Sequence, residues 1–236
     1  MKSPKRLILV TFDQLSRSHG ALGTAHPATD HIVFIESEDM IKARRWHAQR
    51  LFFMLSCAQH LANELEEDGF HVTTIQAANI HTGIAELTAA HPGVPVVSTS
   101  PSSRSMFRIL NSLKIELFPN NNFLTTQEQF TQWSSGYKSL TMEYFYRWQR
   151  KRLNILMDGD QPIGGQWNFD QDNRLPPPRP KKGQPAHPWP DPLHFDLDSI
   201  DLQVRDRLSD YDTWGDHPDG TWATTRAGAL MQLEYF

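Results

Sequence analysis

Two short apolar runs in the sequence are each followed by side chains that could bind a ligand. Asp13 and Gln14 come directly after the run at residues 7–12, and Glu36 comes directly after the run at residues 31–35. If both runs are parallel strands, their carboxyl ends lie at one edge of a sheet, where open α/β sheets bind ligands. Spacing alone does not separate this role from simple capping of helices and loops by Asp13 and Glu36, so both interpretations stay open.

A second group with possible chemistry is the basic run of Arg147, Arg150 and Lys151, which surrounds the ring of Trp148. Such a run could contact a nucleic-acid backbone while the ring packs or stacks. Positive charge also suits the C-terminal end of a helix, and this explanation is favoured for an isolated helix in a chain of net charge -4.

The sequence lacks the motifs of nucleotide-binding sites, serine nucleophiles and metal sites. No glycine follows the first apolar run, so neither the dinucleotide nor the P-loop fingerprint is present, and a nucleotide-dependent enzyme is a weak alternative. The serines at 98–103 lack the nucleophile-elbow pattern. The 11 histidines are scattered without metal-ligand spacing, and the single cysteine, Cys57, cannot form an internal disulfide. We therefore expect neither catalytic residues nor a metal site.

The elements that must position these residues alternate between strand and helix patterns. Strands are predicted at residues 7–12, 31–35, 70–75, 94–98 and 115–118, and helices at 45–68, 84–90, from 102 or 103 to 113, 126–133 and 139–152. This alternation predicts an α/β fold: a doubly wound, mostly parallel five-stranded sheet flanked by helices, with a helical and extended C-terminal extension.

Composition divides the chain into four predicted segments: an α/β domain at 1–120, a helical junction at 121–174, a linker at 175–195 and the truncated start of a further helical domain at 196–236. The linker is assigned because residues 175–192 contain eight prolines, which favour extended geometry. No apolar run approaches the length of a membrane span, and the first residues lack a signal-peptide pattern, so a cytoplasmic location is expected.

One stretch of the sequence is distinctive enough to indicate a protein family. From Arg150 to Arg174 it reads R-x-x-x-x-I-L-M-D-G-D-x-P-x-G-G-x-W-N-F-D-x-x-N-R, accompanied by F-L-T-T-Q-E-Q-F at 123–130, M-E-Y-F-Y-R at 142–147 and D-Q-L-S at 13–16. This pattern resembles the deoxyribodipyrimidine photolyase-related proteins, the bacterial cryptochromes and photolyases that carry an iron–sulfur cluster. The resemblance extends over nearly the whole chain. Within it, residues 167–170 with Asn173 and Arg174 look like a structural clasp.

The resemblance implies an antenna chromophore, 6,7-dimethyl-8-ribityllumazine, in the N-terminal α/β domain. It assigns six residues to the chromophore site: Phe12, Asp13, Gln14, Leu15, Glu36 and Leu51. The polar members would contact the ring edge and the ribityl chain, and Leu15 and Leu51 would form the floor. Phe12 stands where the family often has Gly, and its ring could narrow the pocket or stack on the ligand.

The same resemblance implies that FAD and a 4Fe–4S cluster belong to a helical C-terminal domain. Such a cluster usually needs four cysteine thiolates, so we expect this chain to be the antenna-side part of a protein whose flavin domain is absent here. The implied function of the whole protein is blue-light repair of pyrimidine photoproducts in DNA, with the flavin domain and DNA as partners. The alternative is a non-enzymatic light-signalling or partner-docking module, and an exposed junction could also make this chain a homodimer.

Overall fold

The structure is a computed structural model, and it describes residues 3–170, 182 and 191–236. The chain forms two compact units, one of Met1–Leu124 with Pro192–Phe236 and one of Thr125–Asp191. Most of the predicted proline-rich linker, together with Asn173 and Arg174, lies outside the described residues.

The elements follow one another in this order: β1 (Arg6–Val10), β2 (Asp30–Ser37), α1 (Glu38–Lys42), β3 (Trp46–His47), α2 (Ala48–Glu67), β4 (His71–Ala77), α3 (Ile80–Ala90), β5 (Val96–Thr99), α4 (Arg104–Ser112), β6 (Glu116–Phe118), α5 (Gln127–Ser134), α6 (Met142–Leu153), β7 (Met157–Asp158), β8 (Gln161–Pro162), α7 (Ser199–Arg207), β9 (Thr213–Trp214) and α8 (Arg226–Tyr235). Short 3-10 turns occupy Leu22–Thr24 and Leu208–Asp210.

Five strands form the central sheet in the order β4-β2-β1-β5-β6, and every neighbouring pair is parallel. The predicted α/β fold with a five-stranded parallel sheet is therefore confirmed. From β1 the chain first builds outward through β2 and β4, and it then returns to the other side of β1 with β5 and β6. The strand order thus reverses between β1 and β5, and the loops after these two strands flank the reversal point.

The sheet carries a core on each face. Alternate residues of β1 and β2 point to opposite faces, so Leu7 and Val33 pack in the core that includes α3 and α4, whereas Ile8 and Ile32 pack in the core that includes α2. The helix α3 lies close to β2, because a Cβ atom added to Gly83 would lie 2.7 Å from Ile35 Cγ2. Burial on both faces explains why β1 and β2 are nearly continuous apolar runs.

A third core joins α2 to α7. Leu51, Phe52 and Leu55 of α2 pack with Val204 and Leu208, all of them buried. The region predicted as the start of a helical domain, 196–236, thus places α7 against the α/β unit. Its β9 also pairs with β3 in a two-residue parallel ladder.

The second unit has an aromatic cluster. The ring of Trp133 on α5 lies 5.0 Å from that of Phe145 and 6.1 Å from that of Trp148, both on α6. The predicted helices at 126–133 and 139–152 correspond to α5 and α6. After α6, β7 and β8 form a small antiparallel hairpin.

Among the described residues, none of the helices combines the length and the apolar character needed to span a bilayer.

Candidate ligand site at the reversal point of the sheet

The loops after β1 and β5 are tied together by the carboxylate of Asp13. It accepts hydrogen bonds from the Thr11 hydroxyl at 2.7 Å, from the backbone N–H of Ser102 at 2.8 Å and from the Gln14 side-chain amide at 3.3 Å. Gln14 is buried. Asp13 therefore does cross-link loops, as the capping interpretation holds, and its side chain also lines a cleft at this edge of the sheet.

The cleft has a volume of about 450 Å³. Its walls are the loop after β1, one face of α2, Asn122, and the segment that leads into α8. The lining residues are Phe12, Asp13, Leu15, Ser16, Arg17, Phe53, Cys57, His60, Leu61, Glu64, Asn122, Ala223, Thr224, Thr225, Arg226 and Ala229. Aromatic and aliphatic side chains alternate in this set with carboxylate, amide, hydroxyl and guanidinium groups, the mixture expected of a small-molecule site.

The cleft wall includes the thiol of Cys57, which is neutral, and the guanidinium of Arg17, which is paired with carboxylates. Burial, followed by the negative charge of Asp201, raises the pKa of the Cys57 thiol to about 12. The thiol is therefore neutral at physiological pH and is not an activated nucleophile. Arg17, at the mouth, forms ion pairs with Glu64 and Asp68 of the α2 end.

Glu36 lies in a different place. Its carboxylate is 4% exposed and accepts from Arg207 Nη2 at 2.6 Å and from the amides of Gln59 and Gln76 at 3.4 Å. A separate pocket of about 270 Å³, which Tyr211 also lines, contains Glu36. Any ligand of Glu36 would have to compete with the guanidinium of Arg207.

The six residues assigned to the chromophore site are therefore divided. Phe12, Asp13 and Leu15 line one cleft, and Gln14 lies beside it as a partner of Asp13. Leu51 is buried in the core between α2 and α7. The assignment of these residues to a chromophore stays a prediction.

Sequence reasoning missed much of the cleft wall. Phe53, Cys57, His60 and Glu64 follow one another at spacings of four, three and four along α2, so they share a helix face. That periodicity was available in the sequence. The contribution of residues 223–229 was not, because no local pattern tells which part of the sheet a segment two hundred residues away contacts.

In the second unit, Arg150 is buried and its guanidinium donates four hydrogen bonds. It donates to the carbonyl oxygens of Ile155 at 3.3 Å, Trp167 at 2.9 Å and Leu156, and to the Tyr146 hydroxyl at 3.3 Å. Arg150 thus connects α6 to the hairpin and to the G-G-x-W-N-F-D segment. A nucleic-acid phosphate could reach this guanidinium only by displacing those carbonyl groups.

The other two basic residues remain near the surface. Arg147 forms an ion pair with Glu143 at 2.7 Å, and Lys151 is exposed. The charged groups of Arg147, Arg150 and Lys151 lie 5.3, 5.5 and 5.6 Å from the centre of the Trp167 ring. The tryptophan of the specific motif therefore organises all three cations through cation–π contacts.

The turn before Trp167 needs its glycines. Gly164 and Gly165 have φ angles of +82° and +71°, and a Cβ atom at Gly164 would lie 3.2 Å from Phe169 Cζ. In addition, Asn168 donates to Glu143 at 3.1 Å. These contacts are of the kind expected of a clasp.

Comparisons with known proteins agree with these motifs. A family model for the deoxyribodipyrimidine photo-lyase-related protein matches residues 8–222. The chain is 32% identical over 249 residues to a (6-4) photolyase of Agrobacterium fabrum, covering 98% of this chain and 47% of that protein. It is 22% identical over 156 residues to an uncharacterized protein of Acanthamoeba polyphaga mimivirus, covering 61% of this chain and 78% of the viral protein. The chain spans about half the length of the Agrobacterium photolyase. It belongs to the deoxyribodipyrimidine photolyase-related protein family.

Proposed function

We propose that this chain is the light-harvesting part of a photolyase-related flavoprotein and that the cleft beside Asp13 binds 6,7-dimethyl-8-ribityllumazine. The observation that carries the proposal is the position of the cleft beside the loop after β1, one of the two loops that flank the point where the strand order reverses in the parallel sheet. Membership of the photolyase-related family supports it.

The residues present fit a ligand with a flat ring system and a polyhydroxyl chain. The cleft volume falls in the range of about 300–1,000 Å³ that small-molecule sites occupy. Phe12 and Phe53 offer ring surfaces for stacking, and Asp13, Asn122 and Thr225 offer hydrogen-bonding groups. When bound, the lumazine would absorb blue light and pass the excitation to a flavin.

The Asp13 cleft is a better site than the Glu36 pocket. Arg207 already neutralises the Glu36 carboxylate, and the pocket there is the smaller of the two, about 270 Å³ against about 450 Å³.

For the whole protein we propose repair of pyrimidine photoproducts in DNA with reduced FAD, and we expect the 236-residue chain alone to be inactive in repair. The 4Fe–4S cluster and the FAD would be held by residues outside this chain. Arg147 and Lys151 would contribute contacts to the DNA backbone.

The experiment uses two alanines of α8. Ala229 lines the cleft, whereas Ala227 is exposed on the same helix and is not among the lining residues. Ala229→Trp should fill the cleft and weaken lumazine binding about 100-fold in a fluorescence titration, a loss of about 2.7 kcal/mol. Ala227→Trp should bind as the unchanged chain does. Equal affinity in all three proteins would rule out the cleft as the site.

A second candidate function is partner docking. The side chains of Met231, Leu233 and Phe236 on and after α8 are exposed, Leu233 by 71%. Apolar exposure of this kind is typical of interaction surfaces. Partner docking would be favoured over pigment binding if the chain does not bind lumazine but self-associates in sedimentation equilibrium. In that case Leu233→Glu should abolish the self-association.

A further inference from the structure

Three potential metal ligands from two distant segments converge at the wall of the cleft. Nε2 of His60 on α2 lies 3.3 Å from Oδ1 of Asp201 and 3.7 Å from Oδ1 of Asp198. All three ligand atoms lie within 4.8 Å of one another. The two aspartates belong to the first turn of α7 and the residue that precedes it.

These distances suit a shared cation. Zinc bonds to imidazole nitrogen and carboxylate oxygen at about 2.0–2.2 Å, so neighbouring ligand atoms of a tetrahedral site lie about 3.3–3.6 Å apart. The His60–Asp201 separation of 3.3 Å lies within this range, and the His60–Asp198 separation of 3.7 Å lies just above it. At 3.3 Å the imidazole of His60 also forms a hydrogen bond with the Asp201 carboxylate, and this contact holds the pair together when no ion is bound.

Burial gives the cluster the character of a built site. His60 is 6% exposed and Asp201 is 3% exposed. The second oxygen of Asp201 accepts a hydrogen bond from the Thr224 hydroxyl at 3.1 Å, which orients the carboxylate as outer partners of metal ligands do. Asp198 is exposed, and its Oδ1 accepts hydrogen bonds from the backbone N–H groups of Ile200 and Asp201, which fix the carboxylate at the start of α7.

We propose that His60, Asp198 and Asp201 bind a zinc ion. One imidazole with two carboxylates suits a borderline cation such as Zn²⁺ better than Mg²⁺, which prefers oxygen ligands throughout. The ion would fasten α7 to α2 and thereby fix the segment that carries the cleft residues Ala223 to Ala229. His60 also lines the cleft, so the zinc site adjoins the pigment site, but none of its three ligands is among the groups proposed to contact the pigment.

The sequence pattern argued against any metal, because the ligands lie 138 and 141 residues apart and form no short-range motif. Only the packing of α7 on α2 brings them together. The competing explanation is a metal-free pair in which His60 and Asp201 interact directly. The two explanations differ in whether the cluster retains zinc after dialysis.

The test is equilibrium dialysis of the metal-free 236-residue chain against Zn²⁺, with the bound metal measured by mass spectrometry. We expect one zinc per chain. His60→Gln and Asp201→Asn should each weaken binding about 100-fold, at least the effect that loss of an outer partner produces. Asp198→Asn should also weaken it, and this variant keeps an oxygen for the cap of α7, which makes it the safest for folding.

Three controls complete the design. His81→Gln removes an exposed histidine and Asp196→Asn removes an exposed carboxylate near α7, and both variants should keep the zinc. His71→Gln removes a member of a separate histidine group. Circular dichroism confirms the fold of each variant. The proposal is overturned if the unchanged chain fails to retain zinc. It is also overturned if folded Asp198→Asn and His60→Gln both retain zinc, or if His71→Gln loses it.

Discussion

The carboxylate of Glu36 and the guanidinium of Arg207 are 171 residues apart in the chain, and they form an ion pair with 2.6 Å between Oε2 and Nη2. Glu36 is buried near the carboxyl end of β2, whereas Arg207 is the last residue of α7. This contact therefore ties the C-terminal region to the sheet.

Loss of Arg207 should destabilise the protein, because it leaves a buried carboxylate with only two amide donors. We expect Arg207→Gln to lower the free energy of unfolding by about 2–3 kcal/mol in urea titrations. Arg205→Gln, two residues earlier on α7, is the control and should change it by about 0.5 kcal/mol or less. A double-mutant cycle with Glu36→Gln should show coupling of about 1–3 kcal/mol. Additive effects would mean that the two side chains do not interact in solution.

Stability should depend on pH through His31. Burial, together with the neighbouring His71 and His91, lowers the pKa of His31 from 6.5 to about 4. The unfolded chain therefore binds a proton more readily between these values, and stability falls as pH drops from about 6.5 towards 4. At about 1.4 kcal/mol per pKa unit, the full loss is about 3 kcal/mol.

The measurement for His31 is the free energy of unfolding at pH 7 and pH 5. His31 touches His71 on β4 and His91 after α3, and its Nε2 is 2.8 Å from the Thr73 hydroxyl. His31→Gln should reduce the difference in the free energy of unfolding between pH 7 and pH 5. The control variant His81→Gln should leave that difference unchanged. An unchanged slope in the His31 variant would assign the acid sensitivity to other groups.

Arg150 should matter to folding of the second unit through its shape and not its charge. Arg150→Lys keeps the positive charge, but an ammonium cannot replace a planar fork that donates to several carbonyl groups. We expect a loss of about 2–4 kcal/mol and faster hydrogen exchange across residues 155–169. Arg152→Lys, on the exposed side of the same helix, should leave exchange there unchanged. If both variants exchange alike, the buried contacts of Arg150 contribute nothing to stability.

Lys151 provides the sharper test of contact with DNA, since Arg150 is engaged elsewhere. A phosphate contact at Lys151 predicts that Lys151→Gln weakens binding to duplex DNA of any sequence and reduces the slope of log affinity against log salt by about one. Lys138→Gln removes an exposed lysine of the same unit and serves as the matched control. Identical slopes for the two variants would exclude a specific phosphate contact by Lys151.

The fold could be predicted because its signals are local. The apolar runs that became β1 and β2, and the three- and four-residue spacing that became α2, each depend on residues close together in the sequence. Ser103 likewise caps α4 as its position predicts. The ends of some elements shifted, as with α3, which begins at Ile80 behind a capping box of Asn79 and Thr82. The short elements α1, β3, β7, β8 and β9 were not predicted.

The candidate site was harder to predict because it depends on long-range packing. Asp13 follows β1, and Glu36 is the second-last residue of the neighbouring parallel strand β2, so both lie at the carboxyl ends of their strands. Their separation into two pockets depends on Arg207, whose position no local pattern reveals. Burial of Arg150 could not be foreseen either, since a basic helix end has the same sequence pattern whether it faces solvent or carbonyl groups.

Binding of one antenna pigment by this chain can be measured from the composition of the complex. The purified chain is mixed with 6,7-dimethyl-8-ribityllumazine in excess, separated by gel filtration, and analysed by absorption spectroscopy. We expect one lumazine per chain with a shifted absorption band. Elution of the chain free of lumazine, with its fold intact by circular dichroism, would show that the proposed pigment binding is wrong.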